Sequence, residues 1–268
     1  MNYLIVGLAK SGTTILFSRL RAALPNHTLT YFEPDQDQQL ADILAAGVGH
    51  TTLTKALIGR VTARNEALSR FERQVIIYRD PRDQFISMLL YLFYDFQLSG
   101  DSRGFRQAHN ALREKVEFPE RYSTVALYNT VAGLVGRASI GVFNNLHAEQ
   151  QAYIDTFSPY LLRYEDFIDG ELEGVENYLS LSLQNNAEVA ESYTRVARSK
   201  AYGDWKNWLN QEDLNYLQGE WGSTLQNLGY PLAIQSDNNL SIARSTSLDY
   251  VDQFDPSRHP HGIHSGSG

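Results

Sequence analysis

Apolar runs alternate with helical patterns along most of this chain. Short runs rich in β-branched and aromatic residues predict strands at residues 3–6, 28–32, 51–57, 74–78 and 159–163. Apolar positions at helical spacing predict helices between or after them, at residues 14–20, 36–46, 81–92 and 171–181. The alternation predicts a three-layer α/β/α fold, in which helices cover both faces of a central parallel sheet.

Charged residues follow four of the predicted strands. Each strand has one such residue at or just after its carboxyl end, namely Lys10, Glu33, Lys55 and Arg79. Because parallel sheets bind their ligands at the carboxyl ends of the strands, the pattern places these four side chains on one rim of the sheet. A ligand site is therefore expected at this rim.

Two glycines with the spacing of a phosphate-binding loop follow the first strand. In a Walker A loop, G-x-x-x-x-G-K-[ST], the lysine comes after the second glycine. Here Gly7 and Gly12 keep the glycine spacing, but Thr13 stands in the lysine position and the lysine is Lys10. A strand, a glycine turn and a helix N-terminus form an anion site, because backbone N–H groups and the helix dipole point at the ligand. The loop predicts a phosphate or sulfate ligand that is held differently from ATP.

A second segment of interest follows the fourth strand, with the sequence Tyr-Arg-Asp-Pro-Arg-Asp at residues 78–83. Asp80 suits the N-cap of the next helix, and the proline and second aspartate suit its first turn. A helix start does not explain Arg79, which stands where a Walker B aspartate would serve a magnesium nucleotide. A guanidinium there predicts a phosphate site, to which Ser87 can add a hydroxyl donor.

A third segment, Arg-Ser-Lys-Ala-Tyr-Gly-Asp-Trp-Lys-Asn, occupies residues 198–207. Taken alone, it is consistent with a basic loop before a surface helix that Asp204 caps. Taken with the two earlier segments, in this order along the chain, it resembles the 3′-phosphoadenylyl-sulfate-dependent sulfotransferases. The resemblance covers residues 3–232 and implies the P-loop-like sulfotransferase fold. It also implies 3′-phosphoadenylyl sulfate (PAPS) as the sulfuryl donor and 3′-phosphoadenosine 5′-phosphate (PAP) as a product.

The resemblance implies which residues bind the donor. The first loop is similar to the family's Pro-Lys-Ser-Gly-Thr-Thr loop, which grips the 5′-phosphosulfate, with Ala9 in place of the proline. Its donor-binding residues here would be Lys10, Ser11, Gly12, Thr13 and Thr14. Arg79 and Ser87 match the family's 3′-phosphate pair in identity and spacing, and Arg198 matches a further 3′-phosphate ligand. The Tyr-Glu-Asp segment at residues 164–166 matches one that follows a late strand in the family.

The third segment departs from the cytosolic members of the family. They have Arg-Lys-Gly before the Gly-Asp-Trp run, whereas this chain has Arg-Ser-Lys at 198–200, so Lys200 would replace the lost charge from a neighbouring position. The family's dimer motif Lys-x-x-x-Thr-Val-x-x-x-Glu is not matched either. The residues at its positions are Lys206, Asn210, Gln211 and Asn215. That mode of dimerisation is not expected, and the oligomeric state stays open.

The resemblance leaves the catalytic base open. Small-molecule cytosolic members use a histidine in a Lys-Thr-His segment on the third strand, where this chain has Lys55-Ala56-Leu57. Carbohydrate-modifying members place a catalytic glutamate in a position similar to that of Glu33 after the second strand. The resemblance implies Glu33 as the base, or alternatively as a structural or substrate-positioning carboxylate. Lys10 and Lys55 would stabilise charge on the leaving phosphate.

Regions outside these segments complete the predicted organisation. Residues 1–233 are expected to form the sulfotransferase domain, in which 93–120 break the alternation and are expected to be a substrate-covering insertion. The aromatic residues of this insertion either line an apolar acceptor pocket or cover the core. Residues 122–143 carry almost no charge and predict one long buried helix, with membrane contact as the alternative. Residues 234–268 are polar and predict a loosely held C-terminal tail, whose histidines lack the carboxylate framework of a metal site.

Composition narrows the class of protein. The 268 residues, of which 43% are hydrophobic, suffice for one large α/β core. A net charge of −8 disfavours a role in coating nucleic acid or anionic membrane. The absence of cysteine excludes disulfides, thiolate metal sites and cysteine nucleophiles. The first strand begins near the first residue, so no signal peptide is expected, and the expected location is the cytoplasm.

The sequence therefore predicts an enzyme that transfers a sulfuryl group from PAPS to a hydroxyl or amine. The acceptor would be a small molecule, a sugar or a natural product, and no metal is expected. One alternative is a P-loop kinase or nucleotide hydrolase with a degenerate loop, which would need magnesium and a lysine near Thr13. The other is a non-catalytic nucleotide-binding protein of the same fold.

Overall fold

The computed structural model describes residues 1–62, 65–183, 201–232, 235–236 and 239–258. The chain divides into two compact units. The first contains the described residues of Met1–Arg79 and Asn145–Lys200, and the second those of Asp80–Asn144 and Ala201–Gly268.

The strands of the described residues all lie in the first unit. They are β1 (Asn2–Gly7), β2 (Leu29–Phe32), β3 (Thr52–Leu57), β4 (Arg73–Tyr78) and β5 (Tyr160–Arg163). In the described part of the chain they form one five-stranded parallel sheet in the order β2-β3-β1-β4-β5. The strands predicted from the sequence are confirmed, because alternating short apolar runs and helical segments are the pattern that a parallel sheet produces.

In the described residues, helices of the first unit pack against this sheet, and the second unit consists mostly of helices. In chain order they are α1 (Thr13–Ala23), α2 (Asp37–Ala46), α3 (Pro81–Tyr91), α4 (Phe93–Ser99), α5 (Ser102–Glu117), α6 (Thr124–Leu134), α7 (Val142–Phe157), α8 (Tyr164–Asp169), α9 (Glu173–Leu179), α10 (Trp205–Trp208), α11 (Gln211–Asn227) and α12 (Leu248–Asp252). Short 3-10 helices span Glu66–Arg70, Arg244–Thr246 and Pro256–Arg258.

Helices cover both faces of the sheet, as the three-layer prediction requires. Residues of α1, α8 and α9 pack on one face against a cluster that includes Ile5, Val75 and Ile77. Residues of α2 and α7 pack on the other face against a cluster that includes Val6 and Ile76. Alternate residues of β1 and β4 thus point to opposite faces and are buried on both, which explains why these strands are apolar throughout.

The parallel register lines up the carboxyl ends of the strands. Ile5 of β1 pairs with Lys55 of β3 on one side and with Val75 of β4 on the other, and Phe32 at the end of β2 also pairs with Lys55. The loops that follow β1, β2 and β4 therefore leave the sheet at the same edge as the end of β3. This edge carries the charged residues considered below.

An aromatic cluster forms the core of the second unit. Phe85 of α3 lies between Tyr128, Phe143 and Trp221, with ring centroids 5.2, 6.1 and 5.7 Å away. Edge-to-face and tilted contacts at such distances are favourable because the positive ring edge meets the negative ring face.

The aromatic residues of the 93–120 segment also lie in a core. Phe93, Phe96 and Phe105 are buried, and their ring centroids are 5.8 to 6.1 Å apart. Of the two alternatives for these side chains, the structure supports covering the core, because rings packed on one another do not line an open acceptor pocket. The role of the segment as an insertion over the substrate stays a prediction.

The prediction of one long helix at residues 122–143 is wrong. α6 ends at Leu134, Gly136 turns the chain with a φ of 68°, and α7 begins at Val142. Arg137 lies between the two helices and donates from Nε to Asp95 Oδ2 at 2.8 Å, so this charge ends the apolar run. No helix in the described residues is both long enough and apolar enough to cross a membrane.

The polar C-terminal stretch is anchored in part. Leu248 and Val251 of α12 and the following Phe254 are buried, and Phe254 meets the ring of Tyr94 at 5.6 Å between centroids. The expectation of a loosely held tail therefore does not describe residues 248–254, because three apolar residues at helical spacing suffice to dock a short helix.

Lys115 of α5 is fully buried in the second unit. Its ammonium donates to the carbonyls of Pro119 at 2.6 Å and Tyr122 at 2.7 Å, which holds the turn between α5 and α6. Burial lowers the pKa of Lys115 from 10.5 to about 8, against the opposing attraction of Asp213.

We predict that Lys115 makes the free energy of unfolding rise with pH. Because its pKa is depressed in the folded state, the unfolded chain binds more protons between about pH 8 and pH 10.5, and stability increases with pH through this window. The contribution is up to about 3 kcal/mol. Urea denaturation at several pH values should show this rise for the wild type and for Lys206→Met, an exposed control. The rise should be absent in Lys115→Met, and parallel curves for all three proteins would contradict the assignment.

Candidate active site

The loop between β1 and α1 has no space for a side chain at either glycine. A Cβ on Gly7 would lie 2.7 Å from the carbonyl oxygen of Ile77 and 2.7 Å from Ser11 Oγ. Gly12 has a φ of 103°, and a Cβ there would lie 2.5 Å from Cδ2 of Tyr164. The glycine spacing seen in the sequence therefore has a physical cause, since only glycine allows this close approach and this backbone conformation.

The loop delivers the N-terminus of α1 without a side-chain cap. Gly12 is the N-cap residue, and it has no side chain that could cap the helix. Ser11 turns away from this end, because its hydroxyl donates to the carbonyl of Leu8 at 2.8 Å. The first N–H groups of a helix lack intrahelical partners, so the end of α1 is suited to an anion. Lys10 lies in the same loop with a left-handed φ of 68°.

Lys55 links the phosphate loop to the residue that follows β2. Its ammonium is buried, donates to Thr14 Oγ1 at 2.9 Å and forms a short ion pair with Glu33 Oε1. The ammonium also lies 4.1 Å from the centroid of the Phe32 ring. Burial lowers the pKa of Lys55, and the Glu33 carboxylate opposes that shift. The pairing gives Lys55 a fixed position between the first turn of α1 and a carboxylate.

Glu33 is held from both sides and has an unusual backbone conformation. Its second oxygen, Oε2, lies 3.1 Å from Nη1 of the half-exposed Arg60. Its φ is 53°, so Glu33 and Lys10 are two of the four non-glycine residues with positive φ in the described part of the chain. Such conformations cost about 1–3 kcal/mol each and concentrate at functional sites. Arg60 is not among the site residues predicted from the strand ends. It lies five residues beyond Lys55 in the sequence.

Arg79 and the phosphate loop meet on one tyrosine. The guanidinium carbon of Arg79 lies 4.5 Å from the centroid of the Tyr164 ring, and the same ring is the one that excludes a Cβ from Gly12. Tyr164 therefore holds the arginine beside the loop. The Tyr-Glu-Asp segment at 164–166 is part of the resemblance described above, but the role of the ring depends on a contact across more than 80 residues of chain.

The other charged residues of segment 78–83 have structural partners in the second unit. Asp80 caps α3 by accepting from Arg82 N, and it accepts two further bonds from the Arg82 guanidinium at 2.8 and 2.6 Å. Asp83 accepts from the backbone N–H groups of Gly203 and Trp205 at 2.5 and 3.0 Å. The second and third sequence segments are thus bonded to each other. Asp204 is the N-cap residue of α10, but its side chain does not make the predicted capping hydrogen bond.

Some predicted site residues are not among the described residues of the first unit. Ser87 is buried on α3 in the second unit. Arg198 and Lys200 lie outside the described residues, as do His259, His261 and His264 of the tail. Among the residues that are described, no group of three or more His, Cys, Asp or Glu side chains is arranged to hold a metal ion.

Comparison with known proteins identifies the fold. Neither a family model nor a curated protein matches the sequence. A solved structure, that of mouse sulfotransferase SULT7A1 complexed with PAP, is similar with a TM-score of 0.53 and 14% sequence identity. The match covers 84% of this chain and 85% of that one. The chain therefore has the α/β sulfotransferase fold, as predicted, while at this identity the likeness says nothing of the activity.

We predict that Gly12→Ala destabilises the protein more than the same change at Gly49. Both glycines have positive φ, but nothing lies within 4 Å of a Cβ on Gly49. Gly49→Ala should therefore cost only the left-handed conformation, about 1–2 kcal/mol. Gly12→Ala should cost about 2–4 kcal/mol because Tyr164 must also move. Urea denaturation measures the difference, and equal costs would show that the loop yields freely.

Proposed function

We propose that this protein transfers a sulfuryl group from PAPS to a hydroxyl or amine of a small organic acceptor. The observation that carries the proposal is the bonded chain from the first turn of α1 through Lys55 to Glu33. This chain joins an anion-binding helix terminus to a carboxylate that can accept a proton. Group transfer between a donor bound at the loop and an acceptor near the carboxylate needs this combination.

The donor would bind across the carboxyl edge of the sheet. Its 5′-phosphosulfate would contact Lys10 and the N–H groups of residues 10–14, where the glycines leave room for an anion against the backbone. Its 3′-phosphate would contact Arg79, with Ser87, Arg198 and Lys200 as further proposed ligands. The mouse protein of the same fold is complexed with PAP, which supports this donor class. Arginine in place of a Walker B aspartate counts against a magnesium nucleotide.

Bound PAPS would supply an electrophilic sulfur and a 5′-phosphate leaving group. Glu33 takes the proton of the acceptor as the acceptor oxygen or nitrogen forms its bond to sulfur. The bond from sulfur to the 5′-phosphate oxygen breaks in line, and the negative charge that builds on this oxygen is stabilised by Lys10 and the N–H groups of the loop. Lys55 assists from its position between Thr14 and Glu33.

The two carboxylate oxygens of Glu33 differ in how easily their cationic partner can move away. Oε1 is bound to the buried Lys55, whereas Oε2 contacts Arg60, whose side chain is 50% exposed. An exposed side chain moves into solvent at little cost. Oε2 is therefore the oxygen that we propose to receive the acceptor proton, after Arg60 has moved aside.

The acceptor is proposed at the level of chemical class. The absence of a histidine on β3 and the presence of Glu33 favour a sugar-like or natural-product hydroxyl over a simple phenol. A cytoplasmic location remains a prediction, and no observation favours the kinase or the non-catalytic alternative.

We predict that PAP stabilises the protein without magnesium. At 100 times its dissociation constant, PAP should add about 2.7 kcal/mol to the free energy of unfolding. Calorimetry should show tighter binding of PAP than of AMP, and Arg79→Gln should remove most of this difference, about tenfold or more in affinity. A preference for magnesium-ATP over PAP would sink the sulfotransferase proposal.

A screen of sugars, natural products and phenols should identify an acceptor. With this acceptor, we predict that variants of Lys10 and Glu33 change a different kinetic parameter from variants of Arg79. Lys10→Ala and Glu33→Gln should each lower kcat by about 10²–10³-fold, because each removes a contact to the reacting groups. Arg79→Gln should mainly raise the KM for PAPS. The melting temperature of each variant without ligand is the control for folding. Unchanged kcat in Glu33→Gln would leave Glu33 a structural carboxylate.

A further inference from the structure

Arg19 is a buried cation in the helix that begins at the phosphate loop. It lies on α1, and only 9% of the residue is exposed. Its guanidinium carbon is 4.3 Å from the centroid of the Phe167 ring on α8. The mechanism proposed above makes no use of this side chain.

Three other buried cations in the described residues have polar partners. Arg82 is bonded to the Asp80 carboxylate, Lys55 to Glu33 and Thr14, and Lys115 to two carbonyls. For Arg19, by contrast, the described part of the chain provides no hydrogen-bond acceptor to Nε or Nη1. Burial lowers the pKa of Arg19, and no carboxylate opposes this shift. The ring of Phe167 offers its face to the cation but no lone pair.

A buried guanidinium in which two nitrogens lack an acceptor is unfavourable, because these N–H groups have lost their hydration and gained no hydrogen bonds. An anion that enters from solvent relieves this cost. The planar fork of an arginine fits two oxygens of a phosphate or sulfate group, and its charge strengthens both bonds. The remaining exposed surface means that the side chain is not sealed from solvent.

Arg19 and the proposed donor-binding residue Arg79 contact two aromatic rings of the same helix, α8. Phe167 follows Tyr164 by three residues on α8, so the two rings share one face of that helix. Tyr164 contacts Arg79 and limits the space at Gly12, while Phe167 contacts Arg19. Side chains of a helix tilt toward its N-terminus, which in α1 is the end at the phosphate loop.

We propose that Arg19 is a second anion subsite, which binds a phosphate or sulfate group beside the phosphate loop. The group has two possible sources. It is either the 3′-phosphate of a nucleotide whose 5′-phosphate occupies the loop, which Arg19 would then bind together with Arg79, or a free inorganic ion. The first source rests on the proposed function, and the second does not.

The test compares Arg19→Gln with Arg21→Gln, which removes the same charge from the partly exposed side chain two residues further along α1. Calorimetry measures the affinity of each protein for PAP and for AMP. Thermal unfolding measures stabilisation by inorganic phosphate with PAP already at saturation. If the nucleotide is the source, Arg19→Gln weakens PAP by about tenfold or more and leaves AMP unchanged. If a free ion is the source, PAP affinity is kept, and the added stabilisation by phosphate is lost in Arg19→Gln alone.

The subsite is refuted if Arg19→Gln matches the wild type with PAP, AMP and phosphate. A variant that fails to fold is replaced by Arg19→Met, which keeps the length of the side chain and removes the unpaired charge. This variant should be at least as stable as the wild type without ligand, and a large loss of its melting temperature would instead make Arg19 a structural partner of Phe167. If the wild type does not prefer PAP to AMP, the proposed function fails, but the phosphate measurement still tests Arg19.

Discussion

The site depends on the close approach of the loop at residues 7–12 to its neighbours. Gly7 lies against the β4 backbone, and Gly12 lies against Tyr164, at distances that no Cβ permits. This contact lets α1 begin directly at the carboxyl edge of the sheet, with its first N–H groups pointing out of the loop. The same ring that limits Gly12 also supports Arg79. One steric constraint therefore sets the positions of the α1 N-terminus and of Arg79.

Charge at this edge is organised by burial. Burial disfavours the charge of Lys55, and the Glu33 carboxylate opposes this effect. The pair in turn fixes a carboxylate near the first turn of α1. Arg60 completes the pair from the exposed side. The left-handed backbone at Lys10 and Glu33 shows that the edge holds strain as well as charge. Pre-organised groups of this kind reduce the rearrangement needed when charge develops, and in the proposed reaction Arg60 is the group that has to move.

Several features of the fold could be predicted from local pattern, and others could not. Every strand of the described residues could be predicted, because each is a short apolar run. Such a run is visible in the sequence whichever strand it pairs with. The prediction of one helix at 122–143 is wrong, because a segment of low charge need not be one continuous helix. Gly136 and Arg137 separate two helices here. Asp83 was assigned to a helix start, and its bonds to Gly203 and Trp205 are invisible without the folded chain. The polar residues around Leu248, Val251 and Phe254 conceal in the sequence that these three side chains are buried.

The sequence by itself determined the class of fold, the phosphate loop and the set of charged residues at the strand ends. These follow from periodicity and from glycine spacing, which are local properties. Only the tertiary structure decided which charges meet. It paired Lys55 with Glu33 and Arg60, placed Tyr164 between the loop and Arg79, and left Arg19 buried over Phe167 without an acceptor for two of its nitrogens in the described residues. Such contacts depend on side chains far apart in the chain, and no local pattern records them.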